Sequence, residues 1–215
     1  MNTVLSIPLN TSDDQGARLV ALQSAFAEVC NAIAPTVQQT RCWNRVALHH
    51  LVYHSLRERF PQLGSQMVCN AIYSVSRTCR LVLQHPASPF NVAKRPGEPL
   101  PLLNFSPTSP VYFDRHTLSL KDGQLSMYTL DGRMRFHLDL KPEDLARFRA
   151  DKLREIVLSR LPTGFQLAFV FSSEEAGGIR PGEAPAADTY SGEFPEYLIV
   201  MPGAPLAPQE LGVVA

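Results

Sequence analysis

No two of the four cysteines, Cys30, Cys42, Cys69 and Cys79, form a C-x-x-C pair; they are separated by 12, 27 and 10 positions. This spacing excludes the zinc ribbons and dithiol redox sites built on such pairs, and reads instead as small core residues. His49, His50 and His54 give one helical i, i+4 pair, but "HHLVYH" lacks the glutamate of a H-E-x-x-H site. No metal is expected there. "GGIRPG", residues 177 to 182, has neither the spacing of a phosphate loop nor the Lys-Ser/Thr that follows one, and no G-x-S-x-G elbow occurs. Asp114, Asp122 and Asp131 stand at turns, and turn chemistry explains them better than two-metal catalysis does. The expectation is a chain without catalytic residues, metal or cofactor, and not an enzyme.

Long apolar runs are also missing. No uninterrupted apolar stretch approaches the roughly 20 residues that span a bilayer, and Met1 to Asn10 has no basic segment ahead of an apolar one. A cytoplasmic location without membrane association is the expectation. At 215 residues, 45% hydrophobic and 19% charged, the composition suits a globular protein with a substantial core.

A strong charge asymmetry lies beneath the formal net charge of +0. Residues 41 to 172 carry 18 Lys and Arg against 10 Asp and Glu, a balance of +8, whereas residues 173 to 215 carry one Arg against seven acids, a balance of −6. A basic surface concentrates polyanions, and an acidic segment screens or mimics them.

Hydrophobic periodicity gives the element order. "TVLSIPL" reads as a short strand; Leu19, Leu22, Phe26, Val29 and Ile33 then mark an amphipathic helix ended by Pro35. A second helix over Trp43 to Phe60 carries Leu48, Leu51, Val52, Leu56 and Phe60, and Pro61 stops it. A third over Gln62 to Gln84 buries Leu63, Met67, Ala71, Ile72, Val75 and Val82. Its other face is a polar stripe of Gln66, Asn70, Tyr73, Arg77 and Arg80. Residues 85 to 110 are proline-rich and read as an irregular crossover. Beyond them the period changes to two: "VYFDRHTLSL", "QLSMYTL" and "MRFHLDL" read as three strands, the last pair joined by an Asp131-Gly132 hairpin turn. Met134, Phe136, Leu138 and Leu140 face one way; Arg133, Arg135, His137 and Asp139 face the other. A short helix from Pro142 to about Ala150, a hairpin turned at Pro162-Thr163-Gly164, a Gly/Pro/Ala/Glu-rich loop and the strand "EYLIVMP" complete the chain. The expected fold class is α+β: a small, mostly antiparallel β-barrel interrupted near its start by a three-helix insertion. Its divisions are 1–12 (first strand), 13–86 (helical insertion), 87–172 (crossover and main barrel), 173–193 (mobile loop) and 194–215 (last strand and acidic tail).

Four segments in this order resemble one family. "LQSAFAEVCNAIA", "NRVALHHLVYHSLRERFPQLGSQMVCNAIYSVSRTCR", "PVYFDRHTLSL" and "LSMYTLDGRMRF" are similar to the N-terminal half of TnpB, the transposon-encoded RNA-guided nuclease related to compact type V CRISPR effectors. The resemblance covers about residues 3 to 172 and rests on Asn44, Tyr53, Leu56, Arg57 and Phe60, then Leu63 and Gln66, then Tyr112, Phe113, Asp114 and Arg115, then Leu130, Gly132 and Arg133. It implies a wedge (WED) β-barrel with the helices forming a recognition (REC) lobe. The family continues into a RuvC nuclease domain with catalytic acids and a zinc ribbon, and neither occurs in this sequence, which ends at "QELGVVA".

The expected function is therefore that of a nuclease-less, TnpB-like module binding guide-type structured RNA or an RNA–DNA hybrid, as one subunit of an effector whose RuvC-type nuclease is a separate chain. The other reading open at this point is a protein-interaction or regulatory remnant with no nucleic-acid binding of its own. A-form helices are recognised through shape, phosphates and 2′-hydroxyls, so the expected contacts are spread cations: Arg77, Arg80, Arg133 and Arg135 first, then Lys94, Arg95, Arg115 and Lys121. Tyr73 is expected to stack or pack beside them.

Overall fold

Strand β1 (Asn2–Leu9) enters a helix whose start is written locally: Ser12 Oγ accepts from the Gln15 amide at 3.2 Å, and the Gln15 side chain accepts from the Ser12 amide at 3.0 Å. The structure is a computed structural model and describes residues 2–121, 123–172 and 192–203. Helix α1 (Asp13–Thr40) does not stop at Pro35 as its sequence suggests, but runs on to a left-handed cap at Arg41. An internal proline removes one backbone bond at a cost of about 3 kcal/mol. Tertiary contacts offset that cost, because Ile33, Ala34 and Val37 are buried around the proline and Gln38 Nε2 donates to the Leu100 carbonyl at 3.0 Å. By length and composition alone α1 is long and apolar enough to cross a membrane; in this fold Leu19, Leu22, Phe26, Val29 and Ile33 make it the central core helix.

Helix α2 (Arg45–Arg59) is capped by Asn44, whose Oδ1 accepts from the Val46 and Ala47 amides. It buries Leu48, Val52 and Leu56, while Leu51, expected inside, lies on an uncovered flank and is 53% exposed. Helix α3 (Ser65–Gln84) buries the predicted apolar face. The proline-rich crossover contains a packed element, correcting the expectation of an irregular one. Strand β2 (Leu102–Phe105) buries Leu103 and Phe105, and Asn31 of α1 bonds both backbone groups of Phe105, at 2.9 and 2.7 Å.

"VYFDRHTLSL" is two strands rather than one. Between β3 (Val111–Phe113) and β4 (Leu118–Lys121), Asp114 Oδ1 accepts from the His116 and Thr117 amides, and this turn redirects the chain out of one sheet into another. Strands β5 (Gln124–Thr129) and β6 (Gly132–His137) form the Asp131-Gly132 hairpin. Helix α4 (Pro142–Ala150) follows, then β7 (Lys152–Leu161), β8 (Gly164–Ser172) and the last strand, β9 (Leu198–Met201). The Pro162-Thr163 turn is closed by Gly164 at φ +131°.

The class is α+β with antiparallel sheets, but the strands do not close into a barrel. They form a four-stranded sheet in the order β1-β8-β7-β3, a pair β2-β9 and a three-stranded sheet β4-β5-β6. The turn at Asp114 is the physical reason, since it separates β3 and β4 between sheets that a barrel would join. One continuous core connects helices and sheets, running from Phe26, Leu48 and Met67 to Leu158, Phe169 and Phe171. The loop expected over 173–193 and the acidic tail lie, apart from residues 192–203, outside the described residues.

Candidate nucleic-acid interface

Side chains alternate across β4-β5-β6 as the period of two dictates. Leu118, Leu125, Met127, Met134 and Phe136 are buried against the core. The register sets the opposite face in rows: Lys121, Gln124 and His137; Ser119, Ser126 and Arg135; Tyr128 and Arg133. None of these eight outward strand residues is acidic. Asp131, at the hairpin turn, is paired from below by Arg18 of α1: Nε lies 3.4 Å from Oδ2, and Nη2 donates to Thr129 Oγ1 at 2.9 Å. That pair offsets the one carboxylate in the turn.

Arg133 is held across the sheet. Its Nε donates to Ser126 Oγ at 2.9 Å, Nη2 to the Ser126 carbonyl at 2.8 Å and Nη1 to the His116 carbonyl at 3.3 Å. The planar guanidinium thus fixes β6 to β5 and to the turn that carries exposed Arg115. Arg135 and Lys121 present exposed side chains on the same face. Tyr128 moors the sheet to the α2–α3 connection, accepting from the Gly64 amide at 2.8 Å and donating to the Gln62 carbonyl at 3.1 Å. Gly64 suits that approach, because a Cβ there would come within 3.2 Å of the Tyr128 ring.

The polar stripe of α3 turns inward. Gln66 Nε2 donates to Asp114 Oδ2 at 2.6 Å, Asn70 Nδ2 lies 3.5 Å from Thr117 Oγ1, and the Tyr73 hydroxyl donates to Glu155 Oε1 at 2.7 Å. Arg77 donates to the Tyr112 hydroxyl at 2.8 Å, and its Nε lies 3.6 Å from Glu155. Burial pushes the Tyr73 phenol above the ordinary tyrosine range, with the charge and hydrogen bond of Glu155 adding to the rise; burial does the same to Tyr112. This stripe is a hydrogen-bonded seam between α3, β3, β7 and the β3–β4 turn. It is the interior counterpart of what the sequence suggests is a nucleic-acid face.

The predicted residues therefore divide. Lys121, Arg133 and Arg135 share one exposed sheet face, with Arg115 on the turn beside it. Tyr73 and Arg77 belong to the interior seam, and Arg80 stands half-buried one turn further along α3. Lys94 is exposed on the turns after α3, where Arg95 pairs with Glu98 at 2.7 Å and lies over the Phe90 ring. The sequence does not reveal Arg18, Ser119 and Ser126 as supports of that face, since strand register brings the two serines there and the packing of α1 beneath the hairpin brings Arg18.

Among the described residues no three His, Cys, Asp or Glu side chains cluster as metal ligands. A cleft of about 440 Å³ between the first turn of α1 and the β7–β8 turn is lined by Ser12, Asp13, Arg160 and Phe165, among others, and Ser12 is already engaged in capping the helix. No protein-family model matches the chain, and no curated protein matches it.

Proposed function

We propose that this chain is a nucleic-acid-binding module without nuclease chemistry of its own, comparable to the N-terminal half of TnpB. In this reading the sheets correspond to the wedge domain and α1–α3 to the recognition lobe. The ligand is a structured RNA or an RNA–DNA hybrid. The observation that carries the reading is the outer face of β4-β5-β6, where Lys121, Arg133 and Arg135 stand in outward strand rows that hold no acidic residue, and where Tyr128 and Arg18 moor the sheet beside its hairpin turn. Phosphate contacts fix register and supply affinity without base readout, so a rigid face of spaced cations is sufficient. Tyr128 has its hydroxyl committed to the α2–α3 connection, which disfavours a base-stacking platform for single strands and favours a duplex backbone.

The test is binding of a fluorescently labelled 20-base-pair RNA duplex in low salt. The reading expects an affinity that falls steeply as salt is added. No binding at low salt, together with recovery of a protein partner and no nucleic acid from the native host, would support the protein-interaction reading in its place.

A further inference from the structure

Four cations, Arg147, Arg149, Lys152 and Arg154, fall within eight residues where the last turn of α4 passes into β7. All four are exposed. Helical and extended rises place the first and last Cα no more than about 17 Å apart. Asp151 is the one carboxylate in the stretch, and among the described residues no ion pair involves any of the four cations. Arg77 and Arg95, by contrast, are consumed by Glu155 and Glu98.

The shoulder rests on an ordered base. Phe148 packs edge-on against Phe169 and Phe171, with ring centroids 5.0 and 5.1 Å away, and this docks α4 on β8. Arg154 is the extra residue at a register shift between Leu153 and Glu155, and its Nε donates to Ser172 Oγ at 2.7 Å. Helix-dipole stabilisation accounts for Arg147 and Arg149 at a helix C-terminus, but not for Lys152 and Arg154 beyond it.

Resting on the reading of the chain as a nucleic-acid binder, we propose that this α4–β7 shoulder is a second phosphate-contacting surface, which takes the backbone of a nucleic-acid duplex independently of the β4-β5-β6 face. The alternative polyanion, a lipid surface, fits less well. A helix that binds a membrane needs a free apolar face, and the aromatic side chain of α4 is already spent on β8.

The experiment uses the full chain and a labelled 20-base-pair RNA duplex, with two variants compared across a salt series. Arg147→Gln/Arg149→Gln/Lys152→Gln removes shoulder charge and keeps the Arg154–Ser172 bond; Lys121→Gln/Arg135→Gln removes sheet-face charge. Circular dichroism and Tm confirm that each folds. The proposal expects the shoulder variant to bind at least tenfold more weakly at 0.1 M salt, with a log–log salt slope shallower by about 2 to 3, since each lost phosphate contact removes about 0.9. An unchanged shoulder variant beside a weakened sheet-face variant overturns the shoulder and leaves the sheet reading standing. The reverse pattern upholds the shoulder and sinks the sheet reading, and a wild-type chain that binds no duplex sinks both. Loss of binding to phosphatidylserine vesicles with duplex binding intact would also overturn the proposal.

Discussion

The Tyr73 hydroxyl donates to Glu155 Oε1 at 2.7 Å, joining α3 to β7 across the boundary between the helices and the four-stranded sheet. Glu155 is 9% exposed, and Arg77 Nε lies 3.6 Å from the same oxygen. A tyrosine on a polar helical stripe thus acts as an internal strut.

Removing the strut should cost stability and leave binding intact. Tyr73→Phe is expected to lower the unfolding free energy by about 1 to 2 kcal/mol, as for other buried hydrogen bonds. Glu155→Ala should cost more, about 3 kcal/mol, because it removes the buried carboxylate that both Arg77 and the Tyr73 phenol engage. Urea denaturation reads both. A Tyr73→Phe protein of unchanged stability that binds an RNA duplex poorly would place this ring back on a ligand surface.

Alkaline pH should attack the same interior. Burial raises the Tyr73 and Tyr112 phenols, and it raises the Cys30 and Cys79 thiols from an ordinary 9.0 to about 12. A pKa raised by folding contributes stability that is whole below the unfolded value and is lost as pH climbs to the folded one. The urea midpoint should therefore hold to about pH 8.5, then fall as the unfolded thiols ionise, and fall further past about pH 10 as unfolded tyrosines do. A midpoint flat from pH 8 to 11 would contradict these burials.

Phe148 is the aromatic anchor of α4, a helix with no fully buried residue. Phe148→Ala should cost about 2 kcal/mol, below the roughly 3 to 5 kcal/mol of a fully buried aromatic because this ring is half-buried, and hydrogen exchange should quicken in residues 142–150 more than elsewhere. Uniform protection would mean that α4 is held by something other than this ring.

Arg133 differs in role from its neighbour two residues on. Because its guanidinium bonds Ser126 and the His116 carbonyl, Arg133→Gln should speed amide exchange across β4-β5-β6, whereas Arg135→Gln should not. Equal exchange in the two variants would remove the distinction.

What the sequence disclosed, and what it hid, follows from the range of the forces involved. Local signals survived: the apolar faces of α1 and α3, the Asp131-Gly132 hairpin and the alternation of Met134 and Phe136 with Arg133 and Arg135 all sit where patterning puts them. Signals overridden by tertiary contact did not. Pro35 failed to end α1 because buried neighbours on both sides hold the helix, and Leu51 lies outside because, among the described residues, no element covers that flank. The largest surprise is the α3 stripe. Helical spacing shows that Gln66, Asn70, Tyr73 and Arg77 share a face; it does not say whether that face meets water or Asp114, Thr117, Glu155 and Tyr112, which are distant in sequence. For the same reason Arg133 and Arg135 were legible as a pair, while the supports supplied by Ser119, Ser126 and Arg18 were not.

The most direct test of the account is the salt dependence of duplex binding by the wild-type chain and by Lys121→Gln/Arg135→Gln, read by fluorescence anisotropy on a labelled 20-base-pair RNA duplex. The account predicts weaker binding, a log–log slope shallower by about 2, and an unchanged Tm. Affinity and slope identical to wild type would contradict it, and would return the β4-β5-β6 face to ordinary solvated charge.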